Sequence, residues 1–121
     1  MAFKVEEKDG QPVLTPPWIS RNMNVPQPPI VANGILFAVS NGESVLQANN
    51  EGRLKDSAQR LKTASGHAIL YALDTDTGKE LFSSGDTMSG ITHFSGIAIS
   101  NGRVYVTTYD STPYSSGLEG Q

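Results

Sequence analysis

Pro29-Ile30-Val31-Ala32-Asn33-Gly34-Ile35-Leu36-Phe37-Ala38-Val39 and Ile97-Ala98-Ile99-Ser100-Asn101-Gly102-Arg103-Val104-Tyr105-Val106-Thr107 read alike: an apolar run, an Asn-Gly pair, a second apolar run. The Asn-Gly pairs are 68 residues apart, from 33 to 101. Asn-Gly accepts the positive φ angles of a type I′ turn, so each stretch predicts a tight antiparallel hairpin. Self-similarity at a fixed spacing governs the reading of everything between the copies.

Working outward, a second kind of hairpin alternates with the first. Ala68-Ile69-Leu70-Tyr71-Ala72-Leu73 reads as a strand, Asp74-Thr75-Asp76-Thr77-Gly78-Lys79 as turn chemistry, and Glu80-Leu81-Phe82-Ser83 as a short returning strand. The opening residues have the same form: Ala2–Glu6, a turn at Lys8-Asp9-Gly10, then Pro12-Val13-Leu14 and Trp18-Ile19-Ser20. Gly10 and Gly78 again differ by 68, and Trp18 falls near the counterpart of Phe82. Two hairpins per repeat make a four-stranded antiparallel unit, and such units in series are the signature of a β-propeller.

The expected fold is therefore all-β, a partial β-propeller of about two four-stranded antiparallel blades. Residues 1–20 are expected to form the second half of a blade, 29–84 a complete blade, 97–114 the first half of a last blade, and 115–121 a disordered tail. The repeat exceeds the roughly 40–50 residues of a typical blade. The surplus falls in a polar insertion at 43–66, read as a decorated loop between the second and third strands. Within it Leu54, Ala58 and Leu61 recur at helical spacing and predict a short helix with one apolar face.

Composition excludes several classes. Among 121 residues, 12 acidic and 9 basic side chains leave a net charge of −3, the wrong sign for a nucleic-acid footprint. The absence of cysteine excludes a disulfide scaffold, a Cys-ligated zinc site and a thiol enzyme. No signal peptide opens the chain, and its longest nearly apolar stretch, Ile30 to Val39, is too short for a membrane span. The 12 Gly and 7 Pro suit a chain rich in turns and connectors.

The stretch from Ala72 to Phe82 resembles the repeat of the pyrroloquinoline-quinone-like (PQQ-like) β-propeller superfamily. That repeat's tryptophan-docking motif reads approximately Ala-x-Asp-x-x-Thr-Gly-Lys-x-x-Trp. Ala72, Asp74, Thr77, Gly78 and Lys79 match it, and Phe82 stands where the family usually has Trp. The ending from Gly102 to Tyr114 also looks like the family's last blade, from which Pro113 and the tail depart. The resemblance implies a seven- or eight-bladed parent, exported to the periplasm or secreted, of which this chain is a C-terminal fragment. It implies a fold motif in which the aromatic at 82, like Trp18, lies flat against a neighbouring blade.

In quinoprotein dehydrogenases of this fold, PQQ sits with calcium over the central funnel. The adjacent cysteine pair common in those enzymes is missing here, and no cofactor is expected for this chain. A non-enzymatic scaffold or binding module is thus the expected function. The alternatives are a fragment of a PQQ-dependent alcohol or sugar dehydrogenase and a truncated remnant without independent activity. Expected partners are the remaining blades or another copy of the chain, together with an unidentified protein or small-molecule ligand.

Few residues carry chemistry of their own. Asp74-x-Asp76-x-Gly78 fails as an EF-hand because Lys79 and Gly85 occupy the positions needing Gly and a carboxylate. Gly78-Lys79 lacks the earlier glycine and following hydroxyl of a phosphate loop. No catalytic residue and no metal ligand is assigned. Ser95, His93 and Asp86 or Asp110 supply the elements of a hydrolytic triad on paper, without a nucleophile elbow. His67 is expected in solvent. Two cofactor-binding candidates remain: His93, in the connector 88–95 between blades, and Arg21, an anion clamp in the preceding connector.

Overall fold

The computed structural model describes residues 1–64, 66–93 and 95–117. It contains three antiparallel sheets and one helix. Strands β1 (Lys4–Lys8) and β2 (Gln11–Thr15) form a hairpin. Strands β3 (Ile30–Ala32), β4 (Ile35–Ser40), β5 (Ile69–Asp74) and β6 (Glu80–Ser83) form a four-stranded sheet in that order. Strands β7 (Ile97–Ser100), β8 (Arg103–Thr107) and β9 (Pro113–Gly117) form a three-stranded sheet, also in sequence order.

Both Asn-Gly pairs make the expected two-residue turns, with φ near +50° at Asn33 and Asn101 and near +73° at the glycines after them. Each turn fixes its register: Ala32 faces Ile35, and Ser100 faces Arg103. Because side chains alternate across a strand, that register decides which residues face inward. The seam between the four- and three-stranded sheets holds Val39, Leu70, Val104 and Val106, with Phe37, Ile97, Ile99 and Tyr114 packed against them. Met88, from the connector after β6, is inserted into the same core.

Two expectations need correction. Ser115, Ser116 and Gly117, assigned to a tail, are the last three residues of β9, paired with β8 from Tyr105 to Arg103. The remainder of that tail, 118–121, lies outside the described residues. β9 forms because the loop at Thr108–Thr112 turns the chain back. Thr108 N–H donates to the Thr112 carbonyl, and the Thr108 hydroxyl donates to Asp110 Oδ1 at 2.5 Å. The helix of the insertion is real but shorter than its periodicity predicts. It is α1 (Ser57–Lys62), capped by Asp56 and Gln59 bonding reciprocally, and it buries none of its residues. Leu54 and Leu61 are exposed, so their spacing marks a helix and not a core face.

The turn ends and loop ends of the sheets differ in character. At one end, the β3–β4 and β5–β6 turns are tied together, the Thr75 N–H and hydroxyl both donating to the Gly34 carbonyl. At the other end lie the connector after β6, the insertion and the Thr108–Thr112 loop, reached by the connector after β2 where Asn24 bonds Ser40 and Asn41. No described helix is long and apolar enough to cross a membrane.

Candidate functional site

The expected motif residues converge on the β5–β6 turn. Asp74 caps it by accepting from the Asp76 and Thr77 N–H groups at 2.9 and 3.0 Å and from the Thr77 hydroxyl. Gly78, at φ +73°, closes the turn. A Cβ there would lie 2.5 Å from the Trp18 ring, so the missing side chain is the seat of the indole. Trp18 Nε1 donates to the Thr75 carbonyl at 2.9 Å. Ala72 is buried in β5. Thus Trp18, following β2, lies on a turn of the next sheet.

Phe82 does not repeat that contact. It is 44% exposed and lines a cavity of about 300 Å³ with Leu81, Ile99, Gly102 and Gly117. Of the two motif aromatics, Trp18 is seated on a turn and Phe82 is not.

The hydrogen bonds from Thr77 and Asp76 hold the Asp74 carboxyl below its ordinary value. Those from the Thr108 and Thr112 side chains do the same for Asp110. A carboxyl with a depressed folded pKa contributes stability that is complete above its unfolded value and is lost as pH falls through the folded one. Stability should therefore decline below about pH 4. In acid titrations followed by circular dichroism, Asp74→Asn should flatten that decline. An unchanged acid limb would show that the turn carboxylate does not set it.

At the loop end the polar residues form a buried layer. Ser40, Asn41, Glu43, Thr92 and Thr108 are all buried there, although the sequence reading placed Glu43 in the polar insertion. Glu43 is 2% exposed. Its backbone N–H donates to Asn41 Oδ1 at 2.7 Å, its Oε1 lies 2.8 Å from His93 Nδ1, and its Oε2 lies 3.7 Å from Arg60 Nη1. Arg60 also donates to Gln47 Oε1 and to the Lys55 carbonyl. The His93 ring meets Tyr109 edge-on at 5.8 Å.

Beside this layer, Gly42 lets the backbone before β5 pass close to the residue preceding Glu43. A Cβ there would lie 2.5 Å from the carbonyl carbon of His67. The Thr92 hydroxyl and the Gln27 carboxamide are buried without hydrogen-bond partners among the described residues. The unmet bond of Thr92 weighs on stability, whereas Gln27 also lines the cavity beneath the first connector.

The layer settles the fate of the candidate residues. His93 is held by the Glu43 carboxylate, whereas the sequence offered Asp86 or Asp110. Asp86 instead pairs with His67 Nε2 at 3.0 Å, and Asp110 accepts from Thr108 and Thr112. The triad arrangement is thus not assembled. His67 is half-buried and not a free loop residue, its Nδ1 facing the Ala68 carbonyl.

Arg21 bonds Glu80 at 3.1 Å, and its guanidinium lies 4.7 Å from the Tyr71 ring centroid. An anion captured by Arg21 would compete with Glu80. With Trp18, Met23, Pro28, Leu36 and Leu73, Arg21 lines a cavity of about 630 Å³ beneath the first connector. That volume lies within the usual range for small-molecule sites.

No group of three or more acidic or histidine side chains able to hold a metal occurs among the described residues. Glu43 escaped sequence reasoning because a lone acid in a polar stretch has no periodicity. The one local signal is Asn41-Gly42, a third Asn-Gly pair, directly after a buried strand. No family model, curated protein or solved structure matches this chain.

Proposed function

We propose that the chain is a PQQ-like β-propeller repeat module serving as a non-enzymatic scaffold or binding portion of a larger exported protein. The observation that carries this reading is Trp18 seated on Gly78 and bonded to the Thr75 carbonyl. It joins one sheet to the turn of the next, the job the resembled motif performs between blades. A four-stranded antiparallel sheet in sequence order, flanked by further antiparallel sheets, agrees with blades in series. The binding part of the reading draws on the cavity lined by Trp18 and Arg21. The scaffold part draws on His93 and Arg60, both engaged with a buried carboxylate.

Two measurements test it. DNA flanking this coding segment should encode, in frame, further Asp-x-x-Thr-Gly turns followed by an aromatic residue; flanks without them would remove the propeller. The thermal melt and Trp18 fluorescence should be unchanged by PQQ with calcium. A rise of several degrees in the melt would restore the quinoprotein dehydrogenase reading, with oxidoreductase activity in the parent.

A further inference from the structure

The first and last sheets each present an unstacked face, and the two faces complement each other. In the hairpin, Val5 and Leu14 are cross-strand partners and so share a face, as do Glu7 and Pro12 two positions along. Phe3, two residues before Val5, continues that face. Phe3, Val5 and Leu14 are 56%, 70% and 62% exposed. This is the apolar face of an amphipathic hairpin, turned outward. The opposite face carries Lys4, Glu6, Lys8, Gln11 and Thr15, with Val13 the only half-buried residue of either strand.

The three-stranded sheet buries Val104 and Val106, with half-buried Ile97 and Ile99 beside them, against the four-stranded one. Its other face presents Ala98, Tyr105 and Ser115 in one cross-strand row and Ser100, Arg103 and Gly117 in the next. Tyr105 is 40% exposed. Among the described residues Arg103, which donates to the Ser115 hydroxyl, is the only charge on this face, and Glu7 the only charge on the apolar face of the hairpin.

We propose that these two faces bind each other between copies of the chain, so that the hairpin of one copy stacks on the outer face of β7–β9 of the next. The occupant is a second copy for two reasons. The chain already stacks its four- and three-stranded sheets face to face, so the mode of packing is present within one copy. The lone acid of one face also meets the lone base of the other. Contact between unlike faces is heterologous, so it extends head to tail until it closes into a ring or continues as a fibre. The association needs only the two faces and stands whether or not the propeller reading holds.

The test is light scattering with sedimentation on the 121-residue chain, beside variants that disable one face each: Val5→Lys with Leu14→Glu, and Tyr105→Glu. These positions are exposed, and circular dichroism should show all proteins equally folded. The wild type should give masses that are multiples of 12.9 kDa and rise with concentration. Each variant alone should fall to a single copy. Mixed one to one, the variants still hold one intact face of each kind, so they should form a dimer that grows no further.

A wild type that stays a monomer at about 100 µM, a concentration that would populate a micromolar complex, would overturn the proposal and leave the faces to a different partner. A wild-type oligomer that survives Tyr105→Glu would overturn it in favour of hairpin-to-hairpin pairing. A mixture that stays monomeric would overturn it as well.

Discussion

Glu43→Ala is expected to lower the unfolding free energy by about 3–5 kcal/mol, the usual cost of breaking a buried ion pair by removing one partner. Urea denaturation is the measurement. The loss has two sources: Arg60 and His93 stay mostly buried but lose the carboxylate opposite them, and the Asn41 side-chain amide loses Glu43 Oε2 as its acceptor at 3.5 Å. Substituting Glu43→Gln keeps the shape and removes the charge, so its cost should be smaller. A double-mutant cycle with His93→Ala should return a coupling of about 1–3 kcal/mol, the range for residues in direct contact. Coupling within about 0.5 kcal/mol of zero, the additive limit, would mean that the two side chains are neighbours without being partners.

Trp18→Ala should cost about 2–3 kcal/mol, below the figure for a fully buried indole because this ring is only half-buried. The substitution empties the seat over Gly78 and leaves the Thr75 carbonyl without its donor. Trp18→Phe separates the two contributions. It keeps a ring and loses the N–H, so it should cost about 1 kcal/mol. Since Trp18 is the only tryptophan, denaturation of both variants must be followed by far-ultraviolet circular dichroism. An alanine variant as stable as the wild type would show that the first hairpin is not fastened to the second sheet through this ring.

The strands were legible in the sequence because their causes are local. Asn-Gly fixes a turn, a turn fixes register, and alternation then decides burial, so Asn33 and Asn101 sufficed to place β3, β4, β7 and β8. The Asp74–Gly78 turn was legible for the same reason.

Contacts between distant segments were not. Glu43 and His93 are 50 positions apart in numbering, and neither belongs to a pattern with a period. Arg60, on a helix without a buried face, reaches the same carboxylate through an anchorage that periodicity does not report. Phe82 shows the converse. Its motif position predicts a seated ring, yet seating also needs a turn to receive it, and Trp18 has one whereas Phe82 has none among the described residues.

The insertion between β4 and β5 is fastened at its base and open at its tip. Glu43 and Arg60 hold the base, while Glu51, Gly52 and Arg53 lie at the surface around a turn closed on Asn49. Length can therefore be added at 50–52, or a purification tag or epitope grafted there, without reaching the sheets. The same change at the β3–β4 or β5–β6 turn would displace Gly34 or Gly78 and loosen the fold. The molecule thus has one end suited to carrying new sequence and one end that fixes its shape.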